Sequence, residues 1–456
     1  MNDYILNINY ICNREEELDI YQERIHNIPI WRCVYRKYRD RYIEDKCGVP
    51  PMKNHSVLSI MKMIHSTLRG FRDFIKYTLL AQSIDNIVYG FPRLESVDGI
   101  YIDKFCDFLI KNTDISQSYL YMERGRSGRH FTERPLRNIF WLEFIDNIAL
   151  LGSRILGPII YRTHKSTFDR LFFKASKLCR FDKKDKKFVI NRFANDIIRY
   201  RLSKILLKRI KAKRIFATTL HANAYLIATA KVLNIPCYEI QHGITEGPTP
   251  MYSGTYIEDF SPTAFLAFGQ TSMIPVFNVP INKMINIGFA YKDYLKSKNI
   301  NIHSDTYLIV SDPEITSQII DVACELKKTY SFLEFHIRFH PLEKPTKQHI
   351  NRLLQSRIKV ATNETNSTLA SMAYAGIIGE KSSVLYECVS MGKKTGKLFF
   401  GGMNVGINPE EEEKKGFYIL TTIEGFTSFH EKRIDMKNIP EYYSEFERNA
   451  VNALLD

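Results

Sequence analysis

Ile215-Phe-Ala-Thr-Thr219, then His221 to Leu233, then Pro236-Cys-Tyr-Glu-Ile-Gln241-His242-Gly243 read as strand, helix and strand. The two outer runs are short, apolar and aromatic, and each is closed by a polar cluster. A strand-helix-strand rhythm of this kind argues a parallel sheet with helices on its faces. Working outward, the same rhythm continues. Strands are expected at 86–90, 118–122, 264–268 and 284–287, with a mostly helical stretch at 140–212 and a helix at 101–110. After the polar link Lys296-Ser-Lys-Asn299 the rhythm starts again. Strands are expected at 306–311, 334–339, 358–361, 376–379, 395–400 and 417–420, and helices at 313–328, 346–354, 368–374 and 383–391. The fold class is therefore α/β, with two doubly wound domains facing across a cleft. The expected divisions are a helical extension over 1–83, a first domain over 84–298, a second over 299–430 and a C-terminal helix within 431–456.

The chain has 456 residues, 45% of them hydrophobic, enough for two packed cores. Its formal charge of +14 suits an anionic partner such as a nucleotide or a membrane surface. Nucleic acid is set aside, because the basic residues concentrate in one helix rather than in a module with stacking aromatics. That helix, Arg199 to Arg214, interleaves Leu202, Ile205, Leu206 and Ile210 with Lys and Arg. It reads either as an amphipathic segment for anionic lipid or as a solvated basic face with its apolar side in the core. The eight cysteines form no CxxC pair, which removes the usual zinc spacing and fits a reducing cytoplasm, with the inner membrane face as a peripheral location. Met1-Asn-Asp-Tyr4 lacks a signal-peptide layout, and no run of apolar residues is long enough for a spanning helix.

Ligand chemistry in doubly wound sheets collects at the carboxyl ends of strands, and three polar clusters lie there. Gln241-His242-Gly243 presents a titratable imidazole, followed by the Gly/Pro-rich run Thr245-Glu246-Gly-Pro-Thr-Pro250. His242 is a candidate base, with Glu246 a second; the alternative for His242 is a satisfied turn histidine. Arg338-Phe-His340-Pro341 sets two donors on one side of a strand end, a pattern suited to a diphosphate, or to an ordinary ion pair and a helix cap. Glu380-Lys-Ser382-Ser383 opens a helix, whose free N–H groups and hydroxyls bind phosphate oxygens, and Glu387 lies one turn further on, where a carboxylate takes ribose hydroxyls. Ordinary capping is the alternative there. Ser311 ends the first strand of the second domain and joins this donor set. Gln241, and Arg126 within Arg124-Gly-Arg-Ser-Gly-Arg-His130, are candidates for holding an anionic acceptor; the 124–130 run also reads as a solvated loop. No Asp-x-Asp pair occurs, so the reading is metal-independent. No cofactor is assigned, since Gly401-Gly-Met-Asn-Val-Gly406 lacks the strand-turn-helix setting of a dinucleotide site.

Taken together, Gln241-His242-Gly243, Arg338-Phe-His340-Pro341 and Ser382-Ser383-x-x-x-Glu387 resemble the two-domain (GT-B) glycosyltransferases of bacterial surface polysaccharides. The last two clusters look like those of the CDP-glycerol glycerophosphotransferases and the polysialyltransferase-like capsule enzymes. Tyr89-Gly-Phe-Pro-Arg93 with Gly99-Ile-Tyr-Ile-Asp103 is similar to surface-polysaccharide proteins of this kind. The resemblance implies two Rossmann-like domains, a nucleotide-sugar donor in the second, and a glycan or polyprenyl-linked acceptor, as in capsule or O-antigen synthesis. It would put Arg338, His340, Ser382 and Ser383 at phosphate, Glu387 at ribose and His242 at the acceptor. Glu380-Lys381 stands where the CDP-glycerol group commonly has an Asp-Tyr-type pair, which weakens transfer of an alditol phosphate. That transfer is the nearest alternative, followed by a nucleotide-sugar epimerase.

Overall fold

The computed structural model describes residues 2–47, 60–79, 83–92, 94–125, 130–245, 247–274, 278–313, 315–340, 343–362, 366–404, 407–431 and 441–455. The first sheet holds seven parallel strands: β3 (Asn86–Tyr89), β6 (Tyr119–Glu123), β7 (Ile139–Trp141), β8 (Arg214–Thr218), β9 (Cys237–Ile240), β10 (Ala264–Ala267) and β11 (Met284–Asn286), in the order β11-β10-β9-β8-β3-β6-β7. The second holds six: β12 (His303–Val310), β13 (Glu334–Arg338), β14 (Lys359–Val360), β15 (Tyr374–Gly379), β16 (Thr395–Leu398) and β17 (Tyr418–Leu420), in the order β14-β13-β12-β15-β16-β17. In both sheets the chain starts near the middle, runs to one edge, then crosses back to build the other side. That reversal creates a crevice at the carboxyl ends, between β3 and β8 in one domain and between β12 and β15 in the other. Two hairpins, β1 (Arg24–Ile25) with β2 (Ile28–Pro29) and β4 (Glu95–Val97) with β5 (Ile100–Ile102), lie outside the sheets. The molecule is thus α/β, with two Rossmann-like domains.

Helices α1 (Asn2–Glu17), α2 (Tyr35–Cys47) and α3 (Ile60–Leu79) precede the first sheet. They are not an appendage. Ile20, Trp31, Tyr35 and Tyr38 share one core with Ile87, Leu120 and Phe193. Glu15 and Arg39 form a fully buried ion pair, and Glu15 also accepts from Tyr21 Oη (2.7 Å) and Trp31 Nε1 (3.0 Å). The first domain adds α4 (Asp107–Lys111), α5 (Glu143–Thr163), α6 (Lys165–Leu178), α7 (Lys183–Arg209), α8 (Ala224–Leu233) and α9 (Ala290–Lys296). The second adds α10 (Thr316–Thr329), α11 (Lys347–Gln355), α12 (Ser367–Met372), α13 (Ser383–Ser390), α14 (Pro409–Lys414) and α15 (Phe426–Glu431), before α16 (Arg448–Asn452).

Three expectations are corrected. The helix over 101–110 is instead strand β5, a turn and the short α4, because the buried Asp103 carboxylate accepts from the N–H groups of Phe91, Phe105 and Cys106 and delays helix entry. Among the described residues 441–455, where a C-terminal helix was expected, only 448–452 are helical. Residues 441–447 are irregular and return to the first domain, where Ser444 N donates to Phe268 O (2.8 Å) and Glu447 N donates to Ile287 O (2.9 Å). Gly288 makes room for that strap: at φ +66° it is in the left-handed region, and a Cβ there would meet Glu445 O at 1.8 Å. The apolar side of 199–214, one reading of which faced lipid, is core. Leu206, Leu207 and Ile210 are buried, and only Ile205 is exposed.

Candidate functional site

The carboxyl ends of β3, β9, β12, β13 and β15 converge on one cleft of about 580 Å³ between the domains. The first domain lines it with Phe91, Lys104, Phe105 and His242; the second with Ser311, Arg338, His340, Ser382, Ser383 and Glu387. Six of the expected donor-side groups and the expected base thus share one crevice. Glu246 and Arg126 lie outside the described residues.

Local geometry separates the groups that face a ligand from those that shape the wall. Arg338 ends β13 and is nearly buried; desolvation lowers its pKa and the nearby Glu95 carboxylate raises it, but a guanidinium stays charged at any ordinary pH. Ser382 is the N-cap of α13, yet its hydroxyl makes no capping bond, and Ser383 beside it is exposed. The capping alternative for Ser382 therefore fails, and the α13 start offers unspent backbone N–H groups to the cleft. Ser311 lines the cleft, but its hydroxyl donates to Glu343 (2.7 Å), which also accepts from His340 N (2.9 Å) and so ties the ends of β12 and β13 together. Glu387, expected at a ribose, accepts from Lys104 of the first domain (2.7 Å) and from the Thr368 hydroxyl. Gln241 is a correction: it is fully buried, donating to Gly243 O (2.6 Å) and Ser272 Oγ (2.8 Å) and accepting from Phe268 N (2.6 Å). With its amide spent, Gln241 holds the turn that presents His242 and cannot touch an acceptor.

His242 is held from behind. Its Nδ1 is 2.7 Å from the hydroxyl of Tyr252, and Tyr252 is itself hydrogen-bonded to the buried Glu239 carboxyl. With Glu239 ionised, Tyr252 donates to it and accepts from His242 Nδ1–H, which leaves Nε2 with its lone pair free. Burial, with the Arg36 charge adding to it, pushes the His242 pKa down to about 4, so the ring is neutral at physiological pH. Burial pushes Glu239 up to about 7, opposed by the Arg32 charge. The ring of His221 stacks on His242 at 5.6 Å, and Arg36 donates to His221 Nε2 (2.8 Å). Arg36 belongs to α2, and so does Arg39, which donates to the carbonyls of Pro250 (3.1 Å) and Ser253 (2.6 Å); Tyr35 donates to Met251 O (2.6 Å). The N-terminal helices therefore clamp the loop that carries Tyr252. Sequence reasoning missed Tyr252, Glu239 and Lys104. Only Glu239 carried a signal, a carboxylate inside an otherwise apolar strand.

No protein-family model and no curated protein matches the chain. Solved structures with a similar chain course include UDP-N-acetylglucosamine 2-epimerase from Rickettsia bellii (9% identity, TM-score 0.46, covering 82% of this chain and 95% of that one). Others are the wall teichoic acid polymerase TagF with CDPG (11%, 0.43, 87% and 97%) and TarM from S. aureus in complex with Fondaparinux, alpha-GlcNAc-glycerol and UDP (10%, 0.33, 56% and 58%).

Proposed function

We propose that the protein is a metal-independent glycosyltransferase that moves a sugar from a nucleotide-sugar donor to a growing bacterial surface glycan or a lipid-linked acceptor at the inner membrane face. The observation that carries this reading is the convergence, in one cleft, of a neutral histidine from one domain with an arginine, a second histidine and an uncapped helix start from the other. His242 Nε2 takes the proton of an acceptor hydroxyl. The freed oxygen attacks the anomeric carbon, and the bond from that carbon to the donor phosphate oxygen breaks. The nucleoside diphosphate leaves with the bonding pair, its charge met by Arg338, His340 and the N–H groups at the start of α13. Phe91 and Phe105 wall the cleft against water.

Glu387 is the candidate for the ribose, exchanging Lys104 for the sugar diol as donor enters. Glu246 is proposed as a second base and Arg126 as an acceptor-binding group. The test is product analysis with a panel of CMP-, CDP-, UDP- and GDP-linked donors. A glycosidic bond in the product supports the reading. A phosphodiester, or conversion of UDP-N-acetylglucosamine with no acceptor present, replaces it with alditol-phosphate transfer or epimerisation.

A further inference from the structure

The first domain wears part of its apolar surface on the outside. Along α3 the residues Ile64, Leu68, Phe71, Ile75 and Leu79 recur with helical spacing, and all are exposed, Leu68 by 63%. That is the amphipathic pattern that ordinarily faces a core. Here the buried side carries Ser66, Gly70, Asp73, Phe74 and Tyr77 instead. Helix α5 is similarly turned out. Ala149, Ser153 and Gly157 face inward, while Ile148, Leu151, Ile155 and Ile159 face out, Ile155 by 74%. The two helices cross antiparallel: Asn147 Nδ2 donates to Thr67 Oγ1 (2.6 Å) and the rings of Phe71 and Phe144 lie 5.1 Å apart. Leu68 and Ile148 flank that contact, so the two stripes adjoin as one face.

Charge identifies the medium that covers it. Among the described residues, the exposed cations of the two helices are Arg69, Arg72, Lys76, Arg154 and Arg162. Their acids are all turned inward: Asp73 and Glu143 are buried, and Asp146 pairs with Arg124 (2.6 Å) and Arg199 (3.2 Å). An apolar ridge bordered by cations alone matches the interface of a bilayer that contains anionic lipid. No unbroken apolar run in the sequence is long enough to span, yet α5 as a whole is, by length and composition alone, long and apolar enough to cross a membrane. Its inner side, however, is packed along α7, where a Cβ on Gly152 would meet Ile198 Cδ1 at 2.8 Å, and it enters directly from β7. We infer that the exposed face of α3 and α5 is a membrane-docking surface, with both helices lying in the plane of the interface.

Sedimentation of the full chain with vesicles tests this without donor or acceptor, so its outcome is separate from that of the proposed reaction. The protein should pellet with vesicles of phosphatidylcholine and phosphatidylglycerol. Leu68→Glu with Ile155→Glu should weaken that partition by about ten-fold or more and leave the melting temperature unchanged. A second readout needs no variant. Trp31 is fully buried and Trp141 is half-buried under Arg69, beside the α3–α5 crossing, so acyl chains carrying bromine should quench Trp141 emission. No pelleting with anionic vesicles, unquenched emission, or equal pelleting of the folded double variant overturns the inference. So does a dimer that ignores vesicles and is split by the substitutions, since the face would then belong to a second copy.

Discussion

Tyr252 stands between a carboxyl that titrates near neutrality and an imidazole that does not. Ionised Glu239 orders the chain of hydrogen bonds so that His242 Nε2 is bare; protonated Glu239 releases that order. Turnover should therefore rise with pH through about 7, the Glu239 value, and lack the limb near 6.5 of an ordinary histidine. Tyr252→Phe should cost about 10- to 100-fold in turnover with little change in donor affinity, and Glu239→Gln should remove the limb near 7. The same two groups act oppositely on stability. Glu239 has a raised pKa, so the folded form keeps a proton that the unfolded chain sheds, and stability falls as pH rises from about 4.5 to 7. His242 has a lowered pKa, so stability rises as pH goes from about 4 to 6.5. Each effect is worth up to about 3 kcal/mol. In denaturant titrations across that range, Glu239→Gln should uncover the His242 rise. At this scale the sequence exposed His242, Arg338, His340 and the serine pair, because each lies at or shortly after the end of a strand. Tyr252 and Lys104 were hidden, since a loop and a second domain bring them in from a distance.

Helix α2 ties the N-terminal helices to the site through a buried charge. Removing Glu15 leaves Arg39 buried and unpaired, so Glu15→Ala should cost about 3–5 kcal/mol in denaturant unfolding. Arg39 also holds the 250–253 carbonyls, so the loss should lower turnover as well as stability. The strap at 441–447 is the other element with a single point of failure. Gly288→Ala puts a Cβ into Glu445 O at a positive φ and should cost about 2–4 kcal/mol, read as a lower melting temperature. Most strands of the two sheets were legible because β-branched and aromatic runs end at polar or glycine breaks; β7 was not, since its three residues run straight into the stretch that reads as helical. The 101–110 segment was not, since Asp103 uses its carboxylate to cap a turn inside an otherwise helical spacing. Nor was the strap: the segment reads as part of a C-terminal helix, but backbone bonds from Ser444 to Phe268 and from Glu447 to Ile287 hold it against the first domain.

The two domains are latched across the cleft by Lys104 and Glu387, and by Asn366 N donating to Ser96 O (2.8 Å). A continuous apolar core joins them through Ile240, Leu308, Leu385 and the strap tyrosines. Lys104→Met should loosen this closure and enlarge the radius of gyration in X-ray scattering by on the order of 1 Å. The two-domain plan was legible from the repeated strand-helix rhythm, whereas the latch joins residues far apart in sequence. In the proposed reaction the labour is divided: the second domain would grip a nucleoside diphosphate and the first would supply the base. Calorimetric titration of CDP, UDP and GDP into the wild type, His242→Ala and Arg338→Ala tests that division directly. One nucleotide should bind the wild type and His242→Ala alike and bind Arg338→Ala at least ten-fold more weakly. Equal binding by Arg338→Ala, or no binding of any nucleotide to the wild type, would contradict it.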